Sequence, residues 1–184
     1  MRRSHLRFLA TALVLLGLTG RVPVASAQVV SEYEAKAAFL YNLLKFVQWP
    51  ASNLPNQTAP FLACVMEPDP FGNALTAVLH QKAVSGRPIE LRQLKTSEGI
   101  RECQVVFIPV RDTRRVTGLL RAVQRAAVLT VGEAAEFLDA GGMVSLVLTD
   151  GKLRLQINIE AVHASDLKMS AQLLRLAQDA KGGR

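Results

Sequence analysis

Short, uninterrupted apolar runs constrain this chain more than any other feature: FLACVM at 61–66, VVFIPV at 105–110 and AVLTVG at 127–132. A run of this length with no polar alternation reads as a buried strand, and the β-branched VVFIPV suits a central position covered on both faces. Helical stretches separate the runs. One lies near PFGNALTAVLHQ, with Pro70 suited to a first helical position, and one is RRVTGLLRAVQ, which Asp112 or Thr113 can cap. A third, EAAEFLDA, is ended by Gly141-Gly142. RPIELRQL at 87–94, after a turn at Ser85-Gly86, alternates as a half-buried strand does. Strands alternating with helices imply a layered α/β fold.

The end of the chain breaks this rhythm. MVSLVLT and KLRLQINIE flank Asp150-Gly151, a pair that favours a type I′ hairpin, so the sheet must be mixed. A last helix near HASDLKMSAQLLRLAQDA is expected to turn Leu167, Leu173, Leu174 and Leu176 inward. The expectation is a single α/β domain over 28–184, without repeats or linkers. It has a mixed central sheet of about five to six strands flanked by helices, ending in a β-hairpin and a C-terminal helix.

Residues 1–27 read as a cleavable signal peptide. MRRSHLR is basic, FLATALVLLGLTG is apolar but too short to span a bilayer, and Ala25-Ser26-Ala27 offers a small-x-small cleavage site. The rest of the chain has no transmembrane pattern. Its balance is 18 basic against 15 acidic residues, or +3, which does not argue for nucleic acid. Both cysteines, Cys64 and Cys103, lie beyond the signal, and an even count in an oxidising compartment favours a disulfide. Such a bridge would close a loop of about 40 residues, adding on the order of 4 kcal/mol. Neither cysteine has a partner at metal-ligand spacing, so no metal or cofactor is expected.

Candidate site residues concentrate in two places. EYEAKAAFLYNLLKFVQWP at 32–50 reads as one helix with two apolar stripes, Tyr33, Ala37, Leu40, Leu44 and Val47, then Phe39, Leu43 and Phe46. One stripe docks on a sheet; the second can meet another helix of the domain or a second subunit. Tyr41, Lys45 and Trp49 recur on the remaining side, where exposed aromatics would suit an interface, though ordinary amphipathic packing explains them almost as well. Lys36 falls within the apolar arc, where its stem must snorkel or an anion must meet it; snorkelling is the reading preferred here. In the last strand Leu153, Leu155, Ile157 and Ile159 face one way, leaving Arg154, Gln156, Asn158 and Glu160 on the other; the row reads first as solvated surface and otherwise as the polar wall of a cleft, with Arg154 and Asn158 kept as donors for a carboxylate or phosphate. Arg111, Arg114 and Arg115 surround a helix start but lack a glycine-rich loop, and read as a solvated basic turn. His163, Asp166 and Ser170 lack a nucleophile elbow, so no catalytic residue is assigned.

The order and spacing of KAAFLYNLLKFVQWP, a DPFG segment, LTVGEAAEFLDAGGMVSL and LRLQINIEAVHASDLKMSAQLLRLA resemble the YfiR family of periplasmic regulators. The resemblance implies a non-enzymatic periplasmic inhibitor that restrains an inner-membrane diguanylate cyclase through that enzyme's periplasmic sensory domain. Cyclic di-GMP, biofilm and exopolysaccharide output would follow. It further implies an outer-membrane lipoprotein that sequesters the inhibitor, a homodimer, and a disulfide between Cys64 and Cys103. A second cysteine pair found in some relatives near the double-glycine turn is absent here, which puts redox control through it in doubt. The implied contact surface is the second apolar stripe, Phe39, Leu43 and Phe46, with Tyr41, Lys45 and Trp49. A periplasmic small-molecule-binding protein without a cyclase partner is the alternative, using Lys36, Arg154 and Asn158.

Overall fold

The computed structural model describes residues 31–181 except positions 55, 57 and 135; the expected signal peptide, 1–27, lies outside the described residues. The strands are β1 (Val47–Gln48), β2 (Phe61–Met66), β3 (Ala83–Val84), β4 (Arg87–Leu94), β5 (Val105–Ile108), β6 (Leu129–Gly132), β7 (Val144–Thr149), β8 (Lys152–Ile157) and β9 (Lys168–Met169). Seven of them form one sheet in the order β3-β4-β2-β5-β6-β7-β8. The middle five run parallel, and β3 and β8 close the two ends antiparallel. β1 and β9 make a separate two-stranded ladder.

The apolar runs occupy the centre of the sheet because both their faces are covered. Phe61, Ala63 and Val65 of β2 and Val105 and Phe107 of β5 face one core, which α1 (Glu32–Leu44), α2 (Ala74–Leu79), α5 (Ile159–His163) and α6 (Ala171–Lys181) complete. Cys64 and Met66 of β2 and Val106 and Ile108 of β5 face a second core under α3 (Thr113–Ala122) and α4 (Glu136–Asp139). The result is three layers. Cys64 and Cys103 are joined, with Cα atoms 6.1 Å apart and both side chains buried, so the bridge ties β2 to the turn that enters β5. Two-residue loops close both hairpins. Ser85 and Gly86 (φ 51° and 77°) join β3 to β4, and Asp150 and Gly151 (φ 51° and 70°) join β7 to β8, as the primed turn requires.

Several boundaries differ from the sequence reading. The sheet has seven strands rather than five to six, because the two-residue β3 pairs ahead of β4. The first helix ends at Leu44, not Trp49, since the Phe46 carbonyl accepts from the Ser170 amide and Val47 pairs with Met169. The helix expected at Pro70 starts at Ala74; Asp69 instead accepts the Phe71 amide in a tight turn. α4 begins at Glu136, leaving Glu133 outside it. The long terminal helix is broken: Asp166 has φ 59°, β9 intervenes, and α6 starts afresh at Ala171. Leu176 consequently stands exposed and Ile159 opens α5 instead of extending β8.

Candidate functional site

Lys36 is the most deeply buried charged side chain among the described residues. It sits on the inner side of α1, 1% exposed, so its stem does not snorkel. An anion meets it instead, because the first turn of α1 lies against the carboxyl end of β6, where Glu133 follows directly. Lys36 Nζ is 2.7 Å from Glu133 Oε2 and 2.5 Å from Glu32 Oε1, and the Tyr33 hydroxyl donates to the same Glu133 oxygen at 3.2 Å. Burial disfavours the charged ammonium and is the largest single influence on Lys36. The hydrogen bonds that Lys36 donates to Glu133 and Glu32, together with the attraction of those two carboxylate charges, outweigh it and carry the group above its ordinary range. Burial also raises the Tyr33 phenol above its usual value, with the Glu133 charge adding to the shift.

Beside this cluster opens a cleft of about 460 Å³, lined by Val110, Arg111, Glu133, Phe137 and Leu148 among others. It lies at the carboxyl ends of β5 and β6, the end at which open α/β sheets bind ligands. Arg111 Nε stands 4.0 Å from Glu133 Oε1 with its guanidinium largely in solvent. Phe137 packs flat over Gly132 and Gly142, where a Cβ on either glycine would collide with the ring. The arrangement gives a carboxylate floor, one solvent-exposed cation at the mouth and an apolar wall, a set of groups that can bind a ligand.

The remaining sequence candidates scatter. Leu43 is 1% exposed in the first core and cannot contribute surface to an interface; Phe39 and Phe46 are partly buried against that core. Trp49 is no free aromatic, since its Nε1 donates to the Gln104 carbonyl at 2.8 Å and its ring stands edge-on to Phe61. Tyr41 and Lys45 do remain together at the surface, the ammonium 4.8 Å from the ring centre. Arg154 lies half-exposed on β8 opposite Val147. Asn158 is committed at both ends of its amide: it caps α5 by accepting the Ala161 amide and donates to the Leu138 carbonyl. Arg115 donates to the Glu67 carbonyl at 3.0 Å, which fixes one side of the basic turn. No hydrogen bond joins the side chains of His163, Asp166 and Ser170 among the described residues; Ser170 caps α6 through the Leu173 amide. Among these residues, too, no group of three or more potential ligands could hold a metal ion, and no helix is long and apolar enough to cross a membrane.

Glu133, the centre of the cluster, was missed from sequence. The usable signal was an acid immediately after a buried strand, LTVGE, together with a lysine stranded on an apolar helix face.

Comparison with known proteins agrees with this architecture. A family model described as YfiR/HmsC-like matches residues 33–178. A conserved domain protein from Vibrio cholerae O1 biovar El Tor strain N16961 superposes with a TM-score of 0.52 at 14% identity, over 80% of this chain and 59% of that one. The ABC domain in complex with L-Trp from Streptococcus pneumoniae superposes equally well, TM-score 0.52 at 12% identity, over 77% and 59%. At these identities the two structures share the fold alone, and the chain spans about 59% of the length of each.

Proposed function

From the premise that the chain belongs to the YfiR/HmsC-like family, we propose that it is a periplasmic inhibitor that binds and restrains an inner-membrane diguanylate cyclase. The family suggests a periplasmic regulator of diguanylate cyclase signalling, and its members are regulators rather than enzymes. The single observation carrying the proposal is the family match over residues 33–178. The buried Cys64–Cys103 bridge is in keeping with an exported chain, since such bonds persist in oxidising compartments. Export would proceed through removal of residues 1–27. The contact surface on this reading is the outer side of α1 and the turn that follows it, with Phe39 and Phe46 as half-covered anchors and the Tyr41–Lys45 pair beside them; the same surface would serve a homodimer. An outer-membrane lipoprotein would compete for the inhibitor and release the cyclase.

The test is retention of a cyclase from detergent-solubilised inner membranes by the tagged chain, together with cellular cyclic di-GMP. Recovery of a cyclase bearing a periplasmic sensory domain, and a fall in cyclic di-GMP on overexpression, are expected. Failure to retain any cyclase, with cyclic di-GMP unchanged, would reject the proposal. The cleft of about 460 Å³ favours a second reading, a periplasmic small-molecule-binding protein. That reading predicts a ligand-dependent rise in Tm that Glu133→Gln abolishes, without any cyclase.

A further inference from the structure

The charge of the chain is distributed unevenly. Residues 101–125 contain Arg101, Arg111, Arg114, Arg115, Arg121 and Arg125 against Glu102 and Asp112, a balance of +4. The whole of 28–184 carries only +3, so the rest of that span is −1. All six arginines are exposed. The two acids are already engaged: Asp112 accepts the Arg115 amide as the cap of α3, and Glu102 pairs with Arg92 at 2.7 Å. Arg101 reaches the Gln124 carbonyl, which brings it alongside the far end of α3. The basic groups therefore run the length of one helix on the outer layer of the molecule.

Folding accounts for only part of them: Arg101 and Arg115 reach backbone carbonyls and Arg111 stands 4.0 Å from Glu133, whereas no hydrogen bond or ion pair among the described residues holds the side chain of Arg114 or Arg121. α3 buries Val116, Leu119 and Leu120, and its outer stripe at 114, 118 and 121 is Arg, Gly and Arg, a pattern that contributes nothing to the core. Arg114 and Arg115 occupy the first turn, where the helix dipole disfavours cations, and no acid is present there. Nor does the stripe fit a protein interface well. The large exposed hydrophobic residues among those described are Leu148, Ile159 and Leu176, none of them on α3, so the face lacks the apolar centre that a desolvated contact needs. A sheet of phosphate groups requires no such centre, and arginine forks match phosphate oxygens two at a time.

We propose that the outer face of α3 is a docking surface for an anionic phospholipid bilayer. The contact is electrostatic and peripheral, and it orients the molecule with α3 toward the headgroups and the cleft at the carboxyl ends of the strands to one side. It does not depend on the cyclase reading, because lipid alone suffices to test it. The chain purified from the periplasm of an expressing host is sedimented with vesicles of phosphatidylglycerol and phosphatidylcholine (3:7) and with phosphatidylcholine alone. Binding to the anionic vesicles only, lost at high salt, is expected. At roughly five-fold per arginine, R114Q/R121Q should lower the partition coefficient about thirty-fold. K152Q/R175Q, the same charge change elsewhere, should leave it nearly unaltered. No binding at low salt, equal loss in both double variants, or equal binding to neutral vesicles would each overturn the proposal. Binding to soluble polyaspartate but not to vesicles would overturn it too, in favour of an acidic protein partner.

Discussion

Lys36 and Glu133 are partners 97 positions apart in sequence, each inside a side-chain environment almost closed to water. Removing Lys36 leaves the Glu133 carboxylate buried without its cation, which costs about 3–5 kcal/mol; removing Glu133 leaves Lys36 with the half-exposed Glu32 alone and costs less than that, and removing both costs far less than the sum. Lys36→Met should therefore lower the denaturation midpoint sharply and Glu133→Gln less so, and the double variant should recover much of the loss; additive losses would mean that the pair is not coupled. Tyr33 offers a second check. Its phenol and the Lys36 ammonium both titrate above their ordinary values, so the folded state holds these protons after the unfolded chain has released them. Their contribution is fully present below about pH 10 and is lost as pH rises through the folded-state values. Absorbance titration of a Tyr41→Phe variant, which leaves Tyr33 as the one tyrosine, should place its midpoint above 10 in the folded protein and near 10 in denaturant. The anomaly of Lys36 was legible in the sequence, because helical periodicity reports which face a residue occupies. Its partner was not, because periodicity says nothing about which distant strand end meets that face.

At the scale of elements, what was legible followed from local chemistry. Asp150-Gly151 specified its turn, RPIELRQL its strand and Asp112 its cap, each through interactions within a few residues. The misread elements were decided by long-range pairing. Phe46–Gln48 could have continued α1, but the ladder to Lys168–Met169 satisfies the same backbone groups and positions the segment beside α6. The same ladder breaks the terminal helix and converts Ser170 from a mid-helix residue into a cap. Ser170→Ala should thus lower stability by about 1 kcal/mol, read as a small fall in Tm, with the fold retained. If it left Tm untouched while abolishing some activity, the capping assignment would be wrong and the serine's chemistry would need another account.

For the whole molecule, the layered class and the central place of VVFIPV were readable because strands covered on both faces must be apolar throughout, whereas the order of the strands around it was not, since apolarity alone does not say which neighbour each strand takes. The sheet's order places β2 between β4 and β5, and the Cys64–Cys103 bond crosses from that interior strand to the entrance of the central β5. A cross-link there restricts the unfolded chain over a separation of 39 residues, which corresponds to about 4 kcal/mol in the chain-entropy treatment. That is a large part of the 5–15 kcal/mol that holds a typical domain together. Both sulfurs are buried, so a reductant reaches them only when the sheet opens. The folded protein should accordingly resist dithiothreitol for as long as it stays folded, and should refold from the reduced, denatured state with a denaturant midpoint lowered to that of C64A/C103A. A midpoint for C64A/C103A equal to that of the oxidised protein would mean that the bond records the compartment in which the chain folded without contributing to its stability.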